Sequence, residues 1–300
     1  MKKVKNLTVI GLLLFPWFAQ SQDYTFRVLA NKGTNEVKSG NSWIPIKTGA
    51  QLKKGDELKI SENASVGLVH VTGKPLEVKQ AGNYKVDDLS AKVGSGSTSV
   101  LNKYTDFILS SNSPEAKKNR LIATGGVHRG VEDIKVFLPE SQFGQVFEPT
   151  VFVNWGASKA SPPYVVSVKN MFGDVLSETE TPEKLLQLDL NDPKYAKETP
   201  VLVEVRSKAE GKTTSTSHAI TRLSGDRYNE VKKQLDADMA DLNEETAFNE
   251  YLKASIFEQK KLYIDAITCY EKAMKLDPQN PTYKEGYDEF LLRNKLKTDK

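Results

Sequence analysis

The hydrophobic period of this chain changes from two to about 3.6 close to Asp226, and that change constrains the fold more than any motif does. Before it, apolar residues alternate with polar ones. Tyr24 to Leu29 does so, as do Leu58 and Ile60, Val66 and Leu68, Leu76 and Val78. Farther along the same pattern holds for Val151, Val153 and Trp155, for Tyr164, Val166 and Val168, for Leu186, Leu188 and Leu190, and for Val201, Val203 and Val205. Alternation sends successive side chains to opposite faces of a strand, so these are half-buried strands. After Asp226, Tyr228, Val231 and Leu235 share one helical face, as do Phe248, Leu252 and Ile256, and Ile264, Ile267, Ala273 and Leu276 form another stripe. The expectation is a multi-domain α+β protein, with a small all-β module, a central antiparallel β-sandwich and an α-helical C-terminal segment.

Three hundred residues exceed what one core usually needs, which predicts several domains. The boundaries read from the pattern are a leader over 1–21, a β domain over 22–90, a helix and linker over 91–120, a sandwich over 121–223 and a helical domain over 224–300. Gly49, Gly55, Gly73-Lys74 and Gly82-Asn83 punctuate the first module with tight turns. Val100, Tyr104, Phe107 and Ile108 predict one short helix, and Ser111 to Asn119 reads as a polar, Pro-containing boundary. Asn170-Met171-Phe172-Gly173-Asp174 predicts a hairpin turn between Val168 and Val175.

Met1 to Ser21 has the three parts of a secretory signal: basic Lys2, Lys3 and Lys5, an apolar run from Leu7 to Phe18, and small residues in Ala19-Gln20-Ser21. The run is too short to cross roughly 30 Å of hydrocarbon. Cleavage after Ser21 and a periplasmic or secreted location, with no stable transmembrane anchor, are therefore expected. Without those three lysines the chain carries 39 basic and 39 acidic residues, which removes the electrostatic argument for nucleic-acid binding. Cys269 is the only cysteine, so no internal disulfide framework is available, and its helical context predicts a buried small hydrophobe.

Two stretches resemble known families. Trp43-Ile44-Pro45-Ile46, the step Gly49-Ala50-Gln51-Leu52-Lys53-Lys54-Gly55-Asp56-Glu57-Leu58, and Ser65-Val66-Gly67-Leu68 are similar to the FecR-type periplasmic domain over about residues 37–80. Thr72-Gly73 stands where that family often has Asp-Gly. The resemblance implies a sensory or interaction module of the bacterial envelope. Ala254, Phe257, Tyr263, Ala266, Tyr270, Ala273 and Pro278 resemble the small and aromatic positions of a tetratricopeptide repeat over about residues 247–280. Lys253 replaces the usual Leu and Glu250 the conventional Trp. One such repeat cannot bury both its faces, so neighbouring helices must cap it or it must dock elsewhere. The middle region is weakly similar to immunoglobulin or fibronectin type III modules, without a Cys pair.

Residues that carry chemistry are sparse. His70, His128 and His218 fall into no metal-ligand spacing, and no G-x-S-x-G elbow occurs, so no catalytic, cofactor-binding or metal residue is assigned. The Gly94-Ser95-Gly96-Ser97 run lacks the Lys-Ser/Thr pair of a phosphate loop and reads as a flexible link. Gly125 to Gly130, with Arg129, reads as an interdomain turn. Asp236, Asp238 and Asp241 fit a helix surface rather than a calcium loop. The functional expectation is a non-enzymatic adaptor or sensor of the cell envelope, using a helical groove and exposed strand edges to bind envelope or secreted proteins. Trp43, Tyr251 and Lys253 are its candidate interaction residues. The alternative is an accessory that binds polysaccharide or peptidoglycan, with Trp43, Trp155 or Tyr164 stacking on sugar rings.

Overall fold

The computed structural model describes residues 24–94, 100–124, 133–140, 142, 144–209 and 213–297. The expected leader, Ser95 to Ser97, the Gly125–Gly130 loop and His128 lie outside the described residues. Within them the chain is mixed α+β, and no helix is long and apolar enough to cross a membrane.

The first unit contains β1 (Phe26–Lys32), β2 (Asn35–Ser39), β3 (Ser42–Pro45), β4 (Gln51–Leu52), β5 (Glu57–Ile60), β6 (Ser65–His70), β7 (Pro75–Val78) and β8 (Gly82–Lys85). They form two four-stranded antiparallel sheets, ordered β4-β1-β6-β7 and β3-β2-β5-β8. Phe26, Val28, Val37, Leu52, Leu58, Ile60, Val66 and Leu68 meet in a core of their own, closed by Val86 and Leu89 of α1 (Val86–Val93). β6 is buried along its whole length. Val66 and Leu68 enter this core, whereas Val69 belongs to a second cluster on the other side of the sheet. A strand buried on both faces has a neighbour beyond its own sandwich.

The second β unit contains β9 (Ile134–Val136), β10 (Gln145–Val146), β11 (Thr150–Ala157), β12 (Tyr164–Lys169), β13 (Val175–Thr181), β14 (Leu185–Asp189), β15 (Val201–Ser207) and β16 (His218–Arg222). A three-stranded sheet, β14-β11-β9, faces a five-stranded sheet, β10-β16-β15-β12-β13. β10 runs parallel to β16 and the other pairings are antiparallel. Val151, Val153 and Trp155 face Tyr164, Val166, Val203 and Val205 across the core, with the Trp155 ring edge-on to Tyr164 at 5.5 Å. Arg222 pins the turn after β14 by donating to the carbonyls of Leu190, Tyr195, Ala196 and Glu198 at 2.7–3.0 Å.

The remaining elements are α2 (Leu101–Ser111), α3 (Pro114–Thr124), α4 (Gly225–Asp238), α5 (Ala247–Gln259), α6 (Tyr263–Leu276) and α7 (Pro281–Arg293). The boundary expected over Ser111–Asn119 is instead mostly helix. Ser113 Oγ accepts the Ala116 N–H at 3.1 Å, and Pro114 occupies the first turn, where a missing N–H costs nothing. Pro281 likewise opens α7 behind the Asn280 cap. Leu29, Ala30 and Val69 of the first unit, the sandwich core and the apolar residues of α5, α6 and α7 form one continuous cluster. The helices therefore stand between the two β units and share a core with both.

Candidate functional site

How the helices meet the two β units determines which surfaces remain open. On the first unit the contact is close-packed. A Cβ added to Gly67 of β6 would lie 2.5 Å from the Phe248 ring of α5, so glycine is the residue that lets this aromatic side chain lie against the strand. Around it, Thr282 Oγ1 accepts the Asn31 N–H at 3.3 Å and donates to the Asn31 carbonyl at 3.4 Å. Lys32 Nζ reaches Asp277 at 2.7 Å, and Asn102 Nδ2 donates to the Val71 carbonyl at 2.7 Å.

On the sandwich the contact is a polar stripe. Asp265, Thr268 and Glu271 follow at intervals of three along α6, which places them on one side of the helix. Asp265 accepts the N–H groups of Phe147, at 3.0 and 3.2 Å to its two oxygens, and of Glu148 at 2.8 Å. Thr268 Oγ1 accepts the Phe152 N–H at 3.1 Å, and Glu271 accepts from Asn154 Nδ2. β9 and Phe137 bond Asn154 to Ala157 of β11, and Thr268 takes the Phe152 N–H farther along that edge. Burial pushes the Asp265 carboxyl up to about 7 against the pull of its backbone donors, and burial also raises Glu271.

These contacts reassign several candidate residues. Tyr251 is 2% exposed, and its ring lies against Gly286, where a Cβ would come within 2.6 Å. Its hydroxyl accepts from Asn112 Nδ2 at 3.3 Å. Eleven of the thirteen α5 residues are buried, so Tyr251 belongs to the interior and α5 presents no open face to a partner helix. Lys253 is part-exposed, and its ammonium compensates the buried Glu250 carboxylate at 2.8 Å. Trp155 and Tyr164 are core residues at 2% and 0% exposure, unable to stack on a sugar. Asp238 is not a surface carboxylate either. It accepts from the Tyr104 hydroxyl at 2.7 Å and from Lys260 and Lys103 at 2.8 and 3.1 Å. Desolvation acts to raise its pKa, and these donors outweigh it to leave the carboxyl below its ordinary range.

A cleft of about 450 Å³ lies beside Asp238, lined by Lys103, Tyr104, Arg227, Gln234 and Lys260 among others. Its cations are already engaged, Lys103 and Lys260 by Asp238 and Arg227 by Glu230 at 2.8 Å. Cys269 is buried and its thiol is pushed well up by desolvation. His70 bonds Thr72 and Ser90 at 2.8 and 3.0 Å, His218 lies in the other β unit, and no group of three His, Cys, Asp or Glu could hold a metal among the described residues.

Two open surfaces stand out among the described residues. Trp43 is half-buried on the outer face of the β3-β2-β5-β8 sheet, directly across from Lys38. The second surface is the free side of β13, the edge strand of the five-stranded sheet. Among the described residues, no backbone hydrogen bond outside its ladder with β12 uses Val175 to Thr181. At its head, the hairpin turn exposes Phe172 at 82%, Met171 at 60% and Val175 at 55%. The sequence carried this signal as Met-Phe inside a turn, where polar residues are the rule. No protein-family model matches the chain, and neither does any curated protein or solved structure.

Proposed function

We propose that this chain is a non-enzymatic interaction protein, an adaptor or sensor of the bacterial envelope, that takes an extended segment of another polypeptide along β13. The observation that carries this reading is the open seven-residue edge with its exposed apolar head. Unpaired N–H and C=O groups at strand spacing are complemented by another extended backbone, and Met171, Phe172 and Val175 offer apolar contact beside them. Self-pairing is the weaker alternative, because an antiparallel copy centred on Glu178 sets Glu178 against Glu178. A partner strand with a basic side chain at that position fits better.

In this reading the first unit is a FecR-like module, the second an immunoglobulin- or fibronectin-like sandwich, and α5–α6 a tetratricopeptide-like hairpin. The Trp43–Leu68 pattern, the two-sheet strand order and the small and aromatic residues of the hairpin support those assignments. The basic, apolar and small-residue order of Met1–Ser21 supports export. The hairpin acts as a brace that holds the β units and leaves β13 facing outward.

The test is selection from a displayed peptide library, followed by amide exchange of the chain with an enriched peptide. Slowed exchange over Val175–Thr181, lost with Phe172→Ser and Val175→Lys, is the expected result. Enriched peptides that protect another element, or bind both variants unchanged, would overturn the reading.

A further inference from the structure

The outer face of the β3-β2-β5-β8 sheet is independent of β13 and carries different chemistry. Trp43 contributes nothing to the core of its module, where Val37, Leu58 and Ile60 occupy the opposite face. Two flexible ammonium groups lie loosely over its ring, Lys59 Nζ at 5.7 Å and Lys38 Nζ at 5.9 Å from the centroid. That approach is looser than the 4.6 Å of Lys103 over Tyr104. Cross-strand register places Trp43, Lys38, Glu57 and Lys85 in one row on this face. Lys59 pairs with Glu36 at 3.0 Å, whereas Lys38 has no acidic partner within salt-bridge distance among the described residues.

Charge is also distributed unevenly along the chain. Tyr24 to Gly94 holds eleven basic and seven acidic residues, while residues 95–300 hold 28 and 31. The excess positive charge therefore sits on the module that displays Trp43. An aromatic face is electron-rich and attracts the polarised C–H groups of a pyranose ring, and flexible ammonium groups beside it pair with negative substituents on that ring.

We infer that this face binds an anionic polysaccharide, with Trp43 stacking on a sugar ring and Lys38 pairing with its carboxylate or other acidic group. A neutral glycan would leave Lys38 without an anionic partner, and a purely acidic polypeptide would leave the ring without a role.

The test is affinity electrophoresis of the intact chain in gels containing polygalacturonate, dextran or polyglutamate, with thermal unfolding of each variant as the check on folding. Retardation by polygalacturonate alone is expected, weakening steeply with salt. Trp43→Ala should lower the affinity at least tenfold, Trp43→Tyr should retain most of it, and Lys38→Gln should weaken it and flatten its salt dependence. Equal retardation by dextran, equal retardation by polyglutamate, binding unchanged in Trp43→Ala, or no polygalacturonate binding by the wild-type chain would each overturn the inference. None of these outcomes bears on β13, so the two sites stand or fall separately.

Discussion

The two β units meet the helical brace on different helices and with a different balance of packing and polar contact, the first mainly at α5 and α7 and the sandwich at α6. The first centres on close approach, the Phe248 ring lying against Gly67 where a side chain would not fit, with the Lys32–Asp277 pair and the Asn31–Thr282 hydrogen bonds around it. The sandwich is held by Asp265, Thr268 and Glu271, which accept in turn from the Phe147 and Glu148 N–H groups before β11, from the Phe152 N–H and from the Asn154 side chain. Close packing is insensitive to pH and intolerant of added volume. A polar stripe tolerates small changes in volume, but each acceptor removed leaves a buried donor unpartnered. One helical brace therefore has a steric side and an electrostatic side, and the two should respond to different perturbations.

Removing the brace itself should erase the difference. Arg293 of α7 forms a two-pronged pair with Glu258 of α5 at 2.6 and 2.7 Å and also reaches Asn112 at 3.2 Å. Arg293→Ala strands a buried carboxylate and should cost about 3–5 kcal/mol, with amide protection lost in both β6 and β11. Equal protection before and after the change would show that the helices do not hold the units.

Gly67→Ala should act on the first unit alone. Overpacking against Phe248 should cost about 1–3 kcal/mol, measured by urea unfolding, with exchange accelerated in β6 and unchanged in β11. Phe248→Leu in the same chain should recover part of the loss. Accelerated exchange in both units would break the comparison.

Asp265→Ala is the counterpart on the sandwich, expected to cost about 1–3 kcal/mol by leaving the Phe147 and Glu148 N–H groups without an acceptor. Its pH dependence has a definite sign. The folded-state value of about 7 lies above the ordinary 3.8, so between them the folded chain keeps a proton that the unfolded chain has released. This contribution to stability is present at low pH and is lost as pH rises from about 4 through about 7, levelling above that. Glu271, also raised by burial, acts in the same direction. Asp265→Asn should flatten the slope in a series of thermal melts, and an unchanged slope would assign the effect to other groups. Thr268→Val removes one acceptor and should cost about 1 kcal/mol.

The smallest effect is expected at the hairpin head. Phe172→Ser should change stability by less than about 0.5 kcal/mol, because an 82% exposed ring has little packing to lose. A larger loss in a thermal melt would mean that the turn supports the sandwich and does not serve only as a contact surface.

Much of this architecture was legible from local pattern. The switch of period near Asp226 separates the sandwich from the helical region, and Asn170–Asp174 forms the hairpin turn between β12 and β13. The α3 helix was hidden because Ser113-Pro114 is both a loop signal and a helix start, and only the fold chooses between them. Tyr251 and Asp238 lie buried although helical spacing places them on a surface face, and the reason is related. Helical spacing says which residues share a face, but not whether another element covers that face. Asp238 is covered because Tyr104 and Lys103, 134 and 135 residues away, come to it from α2. The Trp43-Ile44-Pro45-Ile46 pattern marks Trp43, while the pair of lysines over its ring follows from strand register that no single segment encodes.

Local pattern along the chain sets the switch from strands to helices near Asp226, the turns that punctuate the first module and the small or aromatic helical positions. Those properties follow from side-chain period and backbone preference over a few residues. The tertiary structure decided which of the resulting faces stay open. Phe248 meets Gly67 and Asp265 meets Phe147 across long stretches of chain, and those meetings fill the helical surfaces while leaving β13 and the Trp43 face outside. Exposure is a property of what packs against what, and that depends on shape and charge complementarity between segments distant in sequence.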